Sequence, residues 1–278
     1  MTSPESHTVG LKAILNSQTL MDSELPQWVR RSNPIVRREL GSDWKGLFPN
    51  LSFLGRLLIV QMGLMLVLPL KVILILILPL ALLFVCLLPT VIFLYVRALI
   101  RIIYRSSASM IRAKNQHTLD LLRVSLVPLS QIIRGKVAAS FWSAVGDLDF
   151  VLLGVVAFVV PYLSVRYLAT LETDAFTWAI RARMVLEMLS WCVRVFTEPF
   201  MFGALGVLFG TWLSVRSTPV MATLGAMVFY YGGLVALQWG IGASGAWHVV
   251  AVLIPMIVPP LVGWVALRAT HALIESLS

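Results

Sequence analysis

The run 51–104 stays apolar for far longer than one crossing of a bilayer requires, and no other feature narrows the possible folds so sharply. About 20 apolar residues span the hydrocarbon, so the run has to double back as a hairpin. In lipid each backbone N–H and C=O must be satisfied within the protein, which makes these crossings helices. Lys71, beside Pro69, is the charge deepest within the run and sets the expected turn, with spans over 52–70 and 72–96. A turn nearer Pro79, with Lys71 snorkelling to the surface, is the alternative.

Composition agrees. Hydrophobic residues make up 59% of the 278, charged residues 13%, and the mean hydropathy is +0.88, where soluble domains hold about 45–50% apolar and about 25% charged residues. A soluble enzyme or binding module is thereby excluded. The first 50 residues are polar, charged and Pro-bearing, so no cleavable targeting peptide is expected. The net charge of +9 does not point to nucleic acid, because the basic residues gather at the ends of apolar segments, as the positive-inside rule has it. Cys86 and Cys192 lie in apolar sequence and are expected to pack rather than pair.

The same rule orients the chain. Arg97, Arg101, Arg105, Arg112, Lys114, Arg123, Arg134 and Lys136 stand against Asp120 alone, so the loop they flank is expected in the cytosol, and the N-terminus, two spans back, with it. Span three is expected over 148–169, span four at the end of a charged helical stretch from 176 to 213, span five over 220–239 and span six over 246–267. The expectation is an all-α polytopic protein of the cell membrane with about six transmembrane helices and both termini cytosolic. It divides into a tail 1–32, an interfacial amphipathic helix 33–50, the hairpin 51–104, a basic loop 105–146, four spans within 147–268 and a short tail 269–278.

Two surface elements carry recognisable chemistry. Asn33 suits an N-cap and Pro34 a first helical turn, after which Ile35, Val36, Leu40, Trp44 and Leu47 alternate with Arg37, Arg38, Glu39, Asp43 and Lys45. That pattern predicts a helix lying on the membrane surface. In 117–136, Leu119, Leu122, Leu126 and Leu129 form an apolar face beside Arg123, Gln131 and Arg134. It suits docking on a cytosolic partner, or anchoring to anionic lipid.

Inside the later spans, Arg183, Glu187, Ser190, Arg194 and Glu198 recur on one helical face, with i,i+4 spacing for ion pairs. Ionisable groups in a membrane segment are candidates for a polar path, against the plainer reading of an interfacial or structural stripe. Gly206 and Gly210 form a small-x-x-x-small pair suited to close helix packing. Asp147 and Asp149 suit a helix N-terminus. His7, His117, His248 and His271 are scattered, so no metal site is expected, and no nucleophile and base are placed for catalysis. Gly135 and Lys136 are followed by Val137, so the chain holds no phosphate-cradling nucleotide loop.

With these residues in view, the chain resembles the permease subunits of type-2 ATP-binding-cassette exporters. NPIVRREL at 33–40 is similar to the opening of that family's interfacial helix. Thr118, Leu119, Asp120, Leu121, Leu122, Pro128, Leu129, Ser130, Ile133, Gly135 and Lys136 are similar to its coupling segment, and 203–232 to its fourth and fifth spans around a short basic turn. The resemblance implies a non-enzymatic transport subunit that works with a separate ATP-binding subunit, on which ATP and magnesium would sit, and with a second permease copy or homologue as a dimer. The ATPase-coupling surface would be Thr118 to Leu122 with Pro128, Leu129 and Ser130, and the interfacial helix would use Asn33, Pro34, Arg37, Arg38, Glu39 and Leu40. Membrane lipids are expected partners and nucleic acid is not. The rival is a non-transporting scaffold or accessory subunit descended from such a permease; a membrane enzyme acting on lipids has no residues arranged for it.

Overall fold

The computed structural model describes residues 26–30, 33–40, 51–67, 70–116, 128–168, 178–213, 215, 217–240 and 245–276. Every regular element among them is helical: α1 (Pro34–Leu40), α2 (Leu51–Val67), α3 (Leu70–Asn115), α4 (Leu129–Ser143), α5 (Val145–Leu168), α6 (Trp178–Trp212), α7 (Thr218–Gly240) and α8 (Gly245–Ser276). Four stretches are long and apolar enough to cross a membrane, namely Cys86–Asn115, Ile180–Trp212, Thr218–Leu237 and Val249–Ser276. A fifth is added if α4 and the first part of α5, bent by 64° at their junction, cross as one. The chain is therefore a helical membrane protein with four to five candidate spans among the described residues, against the six expected.

Helix α6 is the centre of the bundle. It packs most extensively against α8, then α3, and also touches α7, α4 and α5. The reason is legible along its surface, where Val195, Met201, Phe202, Ala204 and Val207 are all buried and serve three different hydrophobic clusters. Gly206 and Gly210 bring α3 close: a Cβ at Gly206 would lie within 3.2 Å of Ser106 Cβ, and one at Gly210 would stand 3.0 Å from the Ser107 carbonyl oxygen. The expected small-residue packing is thus realised within the subunit, between α6 and α3.

Three boundaries differ from expectation. Helix α3 does not stop near Val96 but runs on to Asn115. Ala98, Leu99, Ile102, Ile103, Ser106, Ser107 and Met110 keep a helical repeat on the buried side, while Ile100 and Tyr104 face outward. The basic residues mark one face of a continuing helix rather than the start of a loop. The second part of the expected loop is α4, buried from Ile132 to Val137 except at Arg134. At the other end, α8 continues past Leu267 to Ser276, because Ile274 is buried with Ile133 and Val137 of α4.

The N-terminal region is anchored where it is described. Asn33 caps α1, its Oδ1 accepting from Ile35 N–H at 3.0 Å. Val36 and Leu40 are buried in a cluster with Ala138, Ala139 and Trp142 of α4. The apolar side of α1 is thus turned to protein rather than to the acyl boundary, whereas Arg37 and Arg38 are exposed; Trp44 and Leu47 lie outside the described residues. Upstream, Trp142 Nε1 donates to the Val29 carbonyl at 2.9 Å, and Trp28 packs on Phe200 with ring centroids 6.3 Å apart.

Candidate functional site

Glu198 is the most deeply buried carboxylate among the described residues, its side chain 1% exposed. It sits directly before Pro199 in α6, one turn beyond Arg194. Four donors converge on it. Arg194 Nε donates to Oε1 at 2.5 Å, Tyr230 to Oε1 at 3.1 Å, and Tyr95 and Tyr231 to Oε2 at 2.5 Å each. Tyr95 comes from α3 and the adjacent tyrosines from α7, so one carboxylate joins three helices.

Two successive helical residues reach the same acceptor because an aromatic wedge holds them. Tyr230 and Tyr231 meet edge to face at 5.2 Å, and Phe202, one turn on from Glu198, packs against both rings at 5.9 and 6.3 Å. A carboxylate offers about four lone-pair directions, and here four donors fill them. An ionised group so buried would be prohibitively costly unless paired and hydrogen-bonded; Glu198 is both.

Beside this cluster a groove of about 420 Å³ opens between α3, α5 and α6. Val91, Ile92, Phe150, Phe158 and Tyr162 give it almost wholly apolar walls, and Tyr95, Arg194 and Glu198 form its polar end. Gly154 lets α5 approach α3 there, since a Cβ would lie 2.6 Å from Val91 Cγ2. Trp191 joins the wall, with the Arg194 guanidinium 5.5 Å from its ring centre and Tyr162 edge-on at 6.2 Å. Such a groove accepts an apolar body with one polar end. The carboxylate, fully engaged, is not available as a cation ligand without opening the cluster.

Of the expected polar path Arg183, Glu187, Arg194 and Glu198, the last two meet as an ion pair at 2.5 Å. Glu187 is buried and Arg183 half-buried further along α6. Ser190 turns away to α8, donating to the Val252 carbonyl at 3.2 Å. Within the stripe, Arg194 and Glu198 are thus joined to each other and Ser190 to α8. The tyrosines that complete the site do not emerge from the sequence analysis; the adjacent pair Tyr230 and Tyr231 inside an apolar span is the one signal that points to them.

The surface elements resolve differently. Thr118, Leu119, Asp120, Leu121 and Leu122 lie outside the described residues. Pro128 stands as N-cap of α4 with φ −63° and ψ 138°, Ser130 is half-buried, and Leu129 packs against the cluster around Met110 and Val207. Lys136 is 3% exposed; its Nζ donates to Glu39 Oε1 at 2.7 Å and to the Ser109 carbonyl at 3.1 Å. It ties α1, α3 and α4 together. Gly135 beside it admits Ile35, whose Cγ2 would stand 3.0 Å from a Cβ.

Asp147 lies in the first turn of α5, 3.8 Å from Arg97 Nε. Cys86 and Cys192 are free thiols. Among the described residues no three His, Cys, Asp or Glu side chains converge as a metal site. Comparison with protein-family models, curated proteins and solved structures finds no match to this chain.

Proposed function

We propose that this chain is the membrane-spanning permease subunit of an ABC-type exporter, moving its substrate with ATP hydrolysed on a separate subunit. The observation that carries the reading is the Lys136 tie. A subunit without a nucleotide site can respond to ATP only if a surface element that docks on the ATPase is rigidly joined to the spans. Helices α3 and α4 flank residues 117–127 in the chain, and Lys136 joins the two to each other and to α1. Through the junction at Ala144, α4 leads directly into α5, which lines the groove. Displacement of α4 would then be felt at the groove wall. The apolar lining favours a lipid-like or otherwise hydrophobic substrate with a polar end.

On this reading the protein lies in the cell membrane with both termini in the cytosol. A second copy or homologue completes the path, and α7, with Met221, Val228 and Phe229 exposed, offers an apolar face for it. The partner ATPase would hold ATP and magnesium. The direct test is co-purification in mild detergent with a candidate ATPase encoded beside this chain, repeated with Leu119→Asp and Leu122→Asp together. A stable complex lost in the double variant supports the permease; an intact chain that retains other membrane proteins and no ATPase would overturn it.

The scaffold reading has one observation in its favour. Glu198, closed by four donors, is a static joint between α3, α6 and α7 rather than an open binding group. ATP-dependent changes in the spectra of a probe in the groove would separate the two, since a scaffold would give none.

A further inference from the structure

A second cavity, of about 450 Å³, lies at the opposite side of α6, where α4, α8 and the segment 26–30 meet. Among the described residues its ionisable lining is basic: Arg134 of α4 with Arg268 and His271 of α8, and Ser130 beside them. Glu275 stands 3.3 Å from His271 Nδ1, but it is 64% exposed and outside the lining. Two permanent cations thus share one concavity with no acidic group among the described residues of its wall, an arrangement whose self-repulsion an anion would relieve.

The cavity is also amphipathic. Trp28 and Trp264 line it, and the Arg268 guanidinium lies 4.0 Å from the Trp264 ring centre. From there Val265, Trp264, Leu261 and Ile257 continue along one exposed face of α8, each between 49% and 57% exposed. From Ile257 to Arg268 the helix rises about 16 Å at 1.5 Å per residue, close to half of the roughly 30 Å hydrocarbon core. Aromatic rings with basic residues at this level mark the headgroup zone. A free phosphate would use the basic pocket and leave this apolar track without a role; a phospholipid uses both.

We propose that this cavity is a binding site for one anionic phospholipid, its phosphate held by Arg134, Arg268 and His271 and an acyl chain laid along Trp264, Leu261 and Ile257. The inference is independent of the permease reading. Basic pockets between spans recognise headgroups in this manner.

The test is native mass spectrometry of the detergent-purified chain titrated with phosphatidylglycerol or phosphatidylcholine. One phosphatidylglycerol per chain should be retained at a concentration at least about tenfold below that needed for phosphatidylcholine. The preference should vanish in Arg134→Gln/Arg268→Gln, and in Ala272→Trp, which fills the cavity with the charges kept. Millimolar inorganic phosphate should leave the bound lipid in place. Equal retention of the two lipids, an undiminished preference in both variants, or displacement by inorganic phosphate would each overturn the proposal. Should the double arginine variant fail to elute as a monodisperse species, Ala272→Trp decides alone.

Discussion

Two buried charges hold different parts of the molecule, and their energetics differ with their surroundings. Glu198 is saturated by Arg194 and three tyrosines, so Glu198→Gln removes the charge, turns one acceptor into a donor and leaves Arg194 without its partner. Breaking a buried pair from one side costs about 3–5 kcal/mol, and thermal unfolding in detergent should show a loss at the upper end of single-substitution effects. Tyr231→Phe, which removes a 2.5 Å bond to the charged group, should cost about 1.5–3 kcal/mol. Tyr230→Phe removes a second such bond and should cost a comparable amount, and unchanged melts in both variants would refute the geometry. Lys136 is paired with a Glu39 side chain that is 25% exposed, so solvent screening reduces its share. Lys136→Met, which preserves the stem, should lower stability by about 1–3 kcal/mol. Sequence spacing reveals the Arg194–Glu198 pair because it is local. It is silent on the tyrosines, since helical periodicity relates residues on one helix and says nothing about Tyr95, 103 positions from Glu198.

Among the helices, the small residues of α6 decide how close its neighbours come. Gly210 faces the Ser107 backbone and Met110 Cβ at 3.0 and 3.1 Å, with no flexible group to yield. Gly210→Leu should therefore force α3 and α6 apart and cost at least about 1–3 kcal/mol. A Cβ at Gly225 of α7 would meet nothing within 4 Å, and Gly225→Leu should change stability by no more than about 0.5 kcal/mol. The pair of melts, one shifted and one not, checks the assignment of inner and outer faces. The lengths of α3 and α8 are harder to read from sequence. Charges at Arg97, Arg101 and Arg268 suggest the ends of spans, yet a helix ends only where its backbone loses partners, and apolar repeats at Ile102, Ile103 and Met110, or at Ile274, keep it packed. Charge marks a change of environment on one face, which is not the same as a change of structure.

For the molecule as a whole, burial joins its surface elements at one end. Ile274 near the end of α8 shares a cluster with Ile133 and Val137 of α4, and α1 packs on α4 through Val36 and Leu40. Arg37 and Ser276 are both exposed and should lie on the same side of the membrane. In a Cys86→Ala/Cys192→Ala background, single cysteines at these two positions should react with a membrane-impermeant maleimide only after the cytosolic face is opened. Labelling of one but not the other in intact cells would contradict the fold, and labelling of both would invert the proposed orientation. Composition and local order are enough to establish a helical membrane protein, a long apolar run that must divide into two helices, a short basic helix capped by Asn33, and the pairing of Arg194 with Glu198, whereas the structure puts Lys71, the expected turn, inside α3, which begins at Leu70. Each of these depends on overall polarity or on residues within about one turn of one another, where chain geometry brings groups together. Only the packed bundle reveals that Glu198 is closed by tyrosines from α3 and α7, that Lys136 is a buried tie, and that Arg134 and Arg268 share a cavity. Those meetings depend on which helix faces which, and that is set by steric fit at positions such as Gly206, Gly210 and Gly135, summed over the whole bundle.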